Sequence, residues 1–137
     1  MIRYKLFQNV IENSDNYKKW YARAVCEETI NTAELAAHMA THSSPFTKGV
    51  IEAVLSDAIN CIKELVMDGK NVKLDNLAIF SAGLHTKPAN SIEEFTATEN
   101  ILSVRLRSRA TGILRSKELT RDARLKQFAE YKPVAKA

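Results

Sequence analysis

The chain opens on two stretches of strand-forming residues. Residues 2–11, IRYKLFQNVI, and 20–26, WYARAVC, are rich in aromatic and β-branched side chains and are separated by the polar ENSDNYKK. That pattern predicts two short strands around a loop containing Asn and Asp. With a period of two, Tyr21, Arg23 and Val25 share one face and Trp20, Ala22, Ala24 and Cys26 the other, with Trp20 read as a packing residue. The period then lengthens. In INTAELAAHMATHSS, Leu35, Ala36, Met39 and Ala40 form one stripe, Asn31 or Thr32 can cap, and Glu34 suits a capping box, so a short helix is expected. A longer helix should follow: Ser44 and Pro45 suit its start and Gly69 a left-handed C-cap, while Val50, Val54, Leu55, Ala58, Ile59, Ile62 and Val66 recur at three- and four-residue steps. Ile51 and Leu65 widen this stripe. A helix apolar over so much of its circumference needs more partner surface than a short helix and a small sheet supply, which predicts dimerisation.

Beyond the helices, residues 71–84, NVKLDNLAIFSAGL, hold strand formers whose alternation breaks at Asp75–Asn76, so two short strands joined by a turn are expected there. Residues 85–100 form a polar connection with Pro88, Asn90 and the cluster Glu93, Glu94 and Glu99, with a helical turn at SIEEF. The stretch SVRLRSRATGILRSKEL, residues 103–119, begins with a strand. SKELTRDARLKQF then reads as a terminal helix capped by Ser116, and AEYKPVAKA as a loose end.

Composition bounds the function classes. At 137 residues, 45% hydrophobic and 26% charged, the chain is expected to fold as one domain with trimmings. It holds no apolar run near the roughly 20 residues needed to cross a bilayer and no secretory signal pattern, so a cytoplasmic protein without a membrane partner is expected. Cys26 and Cys61 have no metal-ligand spacing and read as packed thiols. His38 and His42 lie at i and i+4, but no glutamate follows the first and no third ligand has the right spacing, so these and His85 read as surface or helix-end histidines with no metal site. No glycine-rich phosphate loop and no nucleophile with a nearby base is visible, so neither an enzyme, a small-molecule substrate nor a cofactor is expected.

Charge changes the picture. The net +4 is unevenly spread: residues 1–100 carry 10 Lys and Arg against 13 Asp and Glu, and residues 101–137 carry 10 against 3. Such asymmetry points to a polyanionic partner. In a strand, Arg105, Arg107 and Arg109 project from one face about 7 Å apart, with Val104, Leu106 and Ala110 turned to the core. Each guanidinium can donate a planar fork to phosphate oxygens, and Arg115, Lys117 and Arg121 continue the positive surface. Cations on a water-facing strand also serve solubility and protect edges, so the order of elements carries the weight.

From about residue 32 to 119 that order resembles the bacterial histone-like HU and integration host factor family. TAELAAHMATHSSPFTKGVIEAVLSDAINCIKELVMDGKNVKLDNLAIF is similar to the family's two opening helices, turn and first strand pair; Val72, Leu74 and Phe80 match its pattern, and RSKEL resembles the element that starts its last helix. The added N-terminal strands and EEFTATENILSVRLR are similar to a longer HU-like subgroup of Bacteroides-type bacteria. The resemblance implies an α+β, HU-like fold, a helical hairpin plus a small antiparallel sheet, in an intertwined homodimer that grips double-stranded DNA in the nucleoid. The strand extension would occupy residues 1–30, the DNA-binding domain 31–126 and a basic flexible tail 127–137. The implied phosphate contacts are Arg105, Arg107 and Arg109, with Lys117 at the last helix and Lys87 from the arm side. Two departures are visible. Asn76, Leu77 and Ala78 replace the family's Gly-Phe-Gly, leaving the turn to Asn76, and residues 85–100 are short and acidic, with no arginine beside Pro88. The alternatives are an HU-fold interaction module that does not bend DNA, and a helix-turn-helix regulator whose recognition helix would have only Lys48 and Lys63 as cations.

Overall fold

The computed structural model describes residues 1–128. Its elements run β1 (Ile2–Gln8), β2 (Trp20–Ala24), α1 (Thr32–Ala40), α2 (Lys48–Met67), β3 (Val72–Leu74), β4 (Ala78–Thr86), α3 (Ala97–Asn100), β5 (Ile101–Ala110), α4 (Ser116–Asp122) and β6 (Leu125–Gln127), with a 3-10 turn at Gly112–Leu114. They fall into two compact units, one of residues 31–119 and one of residues 1–30 with 120–128. The expected loose end at 129–137 lies outside the described residues.

The larger unit is a helical hairpin followed by a three-stranded antiparallel sheet of order β3-β4-β5. Asn31 caps α1 through the expected capping box: its side chain accepts from Glu34 N at 3.0 Å, and Glu34 accepts from Asn31 N at 2.8 Å. The start of α2 differs from expectation. Ser44 Oγ instead accepts from Phe46 N at 3.2 Å in a local turn, and the cap passes to Thr47, which accepts from Val50 N. At its far end Gly69 takes φ +77, with Gly69 N donating to Val66 O and Lys70 N to Leu65 O, the paired bonds of a Schellman motif. The expected turn at Asp75–Asn76 is present, and Asn76 supplies its left-handed residue at φ +63. Thr111, 3% exposed, ties the end of β5 to this turn by donating from its amide to Leu77 O at 3.0 Å. In the polar connection SIEEF makes only a turn, and the helical residues come later, as α3.

The C-terminal half of the α2 stripe lies over the sheet and its N-terminal half beside α1, yet little of either is enclosed. Among the described residues the buried hydrophobic side chains are Ala36, Ile51 and Val66; Val54 and Ile59 of α2 are 62% and 56% exposed. Both cysteines, expected as packed thiols, are exposed as well. Between α2 and the sheet lies an open apolar cavity of about 580 Å³, lined by Ile59, Ile62, Val66, Phe80, Val104 and Leu106. The residues expected to face the core therefore face the right way, but one chain does not close the core over them.

The smaller unit is a second three-stranded sheet, of order β2-β1-β6. The two N-terminal strands pair antiparallel as expected, Leu6 opposite Ala22 and Phe7 opposite Tyr21. Trp20, read as a packing residue, is instead 46% exposed at the end of β2, opposite Gln8. The C-terminal expectation also needs correction. The helix begins at Ser116 itself and ends at Asp122, and the RLKQF segment, expected to continue it, forms β6 parallel to β1. The partner explains this: β1 offers a free edge where Ile2 N donates to Arg124 O and Phe128 N to Tyr4 O, both at 2.8 Å, so tertiary pairing overrides the local helical signal. Among the described residues no helix is long and apolar enough to cross a membrane.

Candidate nucleic-acid interface

The pairing of β4 with β5 sets Ile79 opposite Arg109, Ser81 opposite Arg107, Gly83 opposite Arg105 and His85 opposite Ser103. Directly opposed residues share a face. Arg105, Arg107 and Arg109 therefore stand together on one side of the sheet, and Val104 and Leu106 on the other, toward α2. All three arginines are exposed, and among the described residues no carboxylate pairs with them. The face is thus positive and not neutralised by the unit's own acids.

Gly83 shapes this face. A Cβ there would sit 2.5 Å from Arg107 Cδ and 2.9 Å from its Cγ, so the stem of Arg107 lies directly over the glycine backbone. The bare backbone lets three long side chains share a narrow sheet. Beside them are two shallow depressions. One, of about 400 Å³, lies among Asn71, Ser81, Arg107 and Arg109, and the other, of about 350 Å³, among Ile79, Arg109, Thr111 and Arg115. Each is roomy enough for a phosphate group and edged by guanidinium donors.

The remaining expected residues are placed less uniformly. Arg115 borders the second depression with Arg109. Lys117 is exposed on α4. Lys87 stands at the foot of the connection, 3.7 Å from Glu99, so one acid of the Glu93, Glu94 and Glu99 cluster is already engaged with a cation. Arg121 belongs to the smaller unit and pairs with its neighbour Asp122 at 2.9 Å. Pro88 is exposed, and its carbonyl accepts from Asn100 Nδ2 at 3.3 Å.

Sequence reasoning passed over two contributors. Lys73 on β3 is opposite Ile79 and so shares the arginine face, 3.4 Å from Asp75. Its signal was the alternation of Val72, Lys73 and Leu74 itself. Gly83, a lone glycine inside a strand, was the sign of a close approach over the backbone.

Comparison with known proteins agrees with this architecture. A solved structure from Bacteroides vulgatus ATCC 8482, described as a "Putative bacterial DNA binding protein", superposes with a TM-score of 0.71 at 14% sequence identity; the match covers 96% of this chain and 50% of that one. This chain thus spans half the length of that relative, and at such identity the likeness is one of fold. No curated protein matches the chain. The family model for an HU domain fused to wHTH, Ig, or glycine-rich motif matches residues 1–122. The chain belongs to this HU-like family, and its fold, a helical hairpin with small sheets, is α+β.

Proposed function

We propose that the chain is a non-enzymatic, largely sequence-independent DNA-binding protein of the nucleoid, acting as a homodimer and gripping phosphates through Arg105, Arg107 and Arg109. The observation that carries the reading is the arginine face itself: three exposed guanidiniums on alternate residues of β5, without carboxylate partners among the described residues, over a glycine that clears space for their stems. Forked donors at strand spacing suit a phosphate rail and offer little to distinguish one base from another. Family membership and the Bacteroides relative's description support DNA as the polyanion. The acidic connection supplies no arginine beside Pro88, so phosphate contacts are assigned the affinity and wedging between bases is not.

Dimerisation is supported by the incomplete core. A unit whose main helix leaves Val54 and Ile59 more than half exposed, above a sheet leaving Leu106 at 64%, needs a second apolar surface to close it. A helix-turn-helix mode lacks such support, since α2 has only Lys48 and Lys63 to offer a groove.

A salt titration of duplex binding tests the proposal. Affinity should fall linearly on a log–log plot, and each lost phosphate contact should flatten the slope by about 0.9. Replacing Arg105, Arg107 and Arg109 together by serine should flatten that slope and abolish retention at moderate salt, whatever the duplex sequence. Unchanged duplex affinity in the triple variant, or affinity indifferent to salt in the wild type, would overturn it.

A further inference from the structure

The sheet of the smaller unit is two-faced in a way that the DNA-binding reading does not use. On one side lie Ile2, Tyr4, Leu6, Ala22, Ala24 and Leu125, an apolar surface. The register places Arg3, Lys5 and Phe7 of β1, Tyr21 and Arg23 of β2 and Lys126 of β6 together on the other. An amphipathic sheet with one apolar side turns its polar side to water. That side is both cationic and aromatic. Phe7 and Tyr21 stack with ring centroids 5.8 Å apart, the Arg23 guanidinium lies 4.8 Å from the centre of the Phe7 ring, and the Arg3 guanidinium 4.9 Å from that of Phe128.

Charge on this face is largely uncompensated. Glu27 pairs with Arg3, a hydrogen bond that holds its carboxyl below the usual carboxylate range. Among the described residues no carboxylate pairs with Lys5, Arg23 or Lys126. A face meant only for solubility would need no rings, and a face meant only for duplex phosphates would leave them idle, because paired bases are stacked within the helix. Rings and guanidinium planes set among cations suit a strand with unpaired bases, which stack on the planes while the phosphates meet Lys5 and Lys126.

We infer that the sheet face bearing Arg3, Lys5, Phe7, Tyr21, Arg23 and Lys126 is a second nucleic-acid site, one that takes single-stranded DNA or RNA by base stacking and phosphate contact. It is separate from the arginine face of β5 and does not depend on that face binding duplex. The test uses the full chain and a fluorescent oligo-deoxythymidine beside a fluorescent duplex, both followed by anisotropy at low salt. Two variants are compared with wild type: Lys5, Arg23 and Lys126 all to serine, and Phe7 and Tyr21 both to leucine, which preserves apolar volume. Each should weaken oligo-deoxythymidine binding at least about tenfold while duplex affinity stays within about twofold. The Arg105, Arg107, Arg109 serine variant should do the reverse. Should wild type bind duplex but no oligo-deoxythymidine, or should both sheet variants bind it as wild type does, the second site is refuted and the first stands. Binding of oligo-deoxythymidine alone would uphold the second site and refute the first. Should the variants fold poorly, wild type crosslinked to a photoreactive oligo-deoxythymidine decides: adducts within residues 2–8 or 20–24 are expected, and adducts confined to 101–117 overturn the inference.

Discussion

The turn that closes the β3–β4 hairpin depends on two residues making room for each other. Asn76 holds φ +63, and its side chain reaches the segment after β5, where Oδ1 accepts from Ile113 N at 3.4 Å. Gly112 has φ +54, and a Cβ on it would fall 2.1 Å from that same Oδ1 and 2.9 Å from Asn76 Cα. Gly112→Ala therefore suffers twice, from backbone geometry and from the collision, and should lose about 1–3 kcal/mol in urea unfolding. Because part of that cost is the clash with the Asn76 side chain, adding Asn76→Gly should recover some of it, and the double variant should be less unstable than the sum of the singles. Additive losses would mean that backbone strain alone is responsible. The Asn76 substitution for a glycine was legible in the sequence as tolerable. Its partnership with Gly112 was not, since 36 residues separate them and only the sheet brings them together.

Elements with local causes were the legible ones. The Asn31–Glu34 box, the Gly69 C-cap and the alternation of β5 depend on neighbours in the chain, and the arginine face followed from period alone. Errors arose where a local signal had a competitor. Ser44 looked like a cap but was taken by its own turn, leaving Thr47 to start α2, and Leu125–Gln127 looked like the end of a helix until the open edge of β1, more than a hundred residues away, gave it strand partners. Nothing local marked Asn100 as a lock either. It is 4% exposed; its amide donates to Lys87 O at 3.2 Å and Pro88 O at 3.3 Å, and its Oδ1 accepts from Thr96 N at 3.0 Å. The acidic connection between β4 and β5 is thereby pinned at its base. Asn100→Ala strands those backbone groups and should cost about 1–3 kcal/mol in urea unfolding. It should also open residues 87–99 to proteolysis before the rest of the larger unit, and uniform protection of that segment would show that Asn100 is not what holds it.

For the molecule as a whole, the sparse core and the proposed binding face are linked. The three arginines and the residues under α2 alternate along the same strand, so whatever covers Leu106 also fixes the strand that displays Arg105 and Arg107. A lone chain would leave that strand resting on an open cavity, whereas a second copy inserting its own apolar face would close the cavity and set two arginine faces in one rigid assembly. Native mass should then be twice the chain's 15.4 kDa, and because association would stabilise the folded state, the thermal midpoint should rise with protein concentration. Leu106→Asp places a charge in the apolar cavity and should both halve the native mass and lower the midpoint. Arg107→Ser, the neighbouring change on the opposite face, should leave both unaltered while weakening duplex binding. A wild-type mass of one chain with a concentration-independent midpoint would show that the exposed stripe of α2 is covered by something other than a second copy, and the duplex-binding geometry would then have to be rebuilt around a single arginine face.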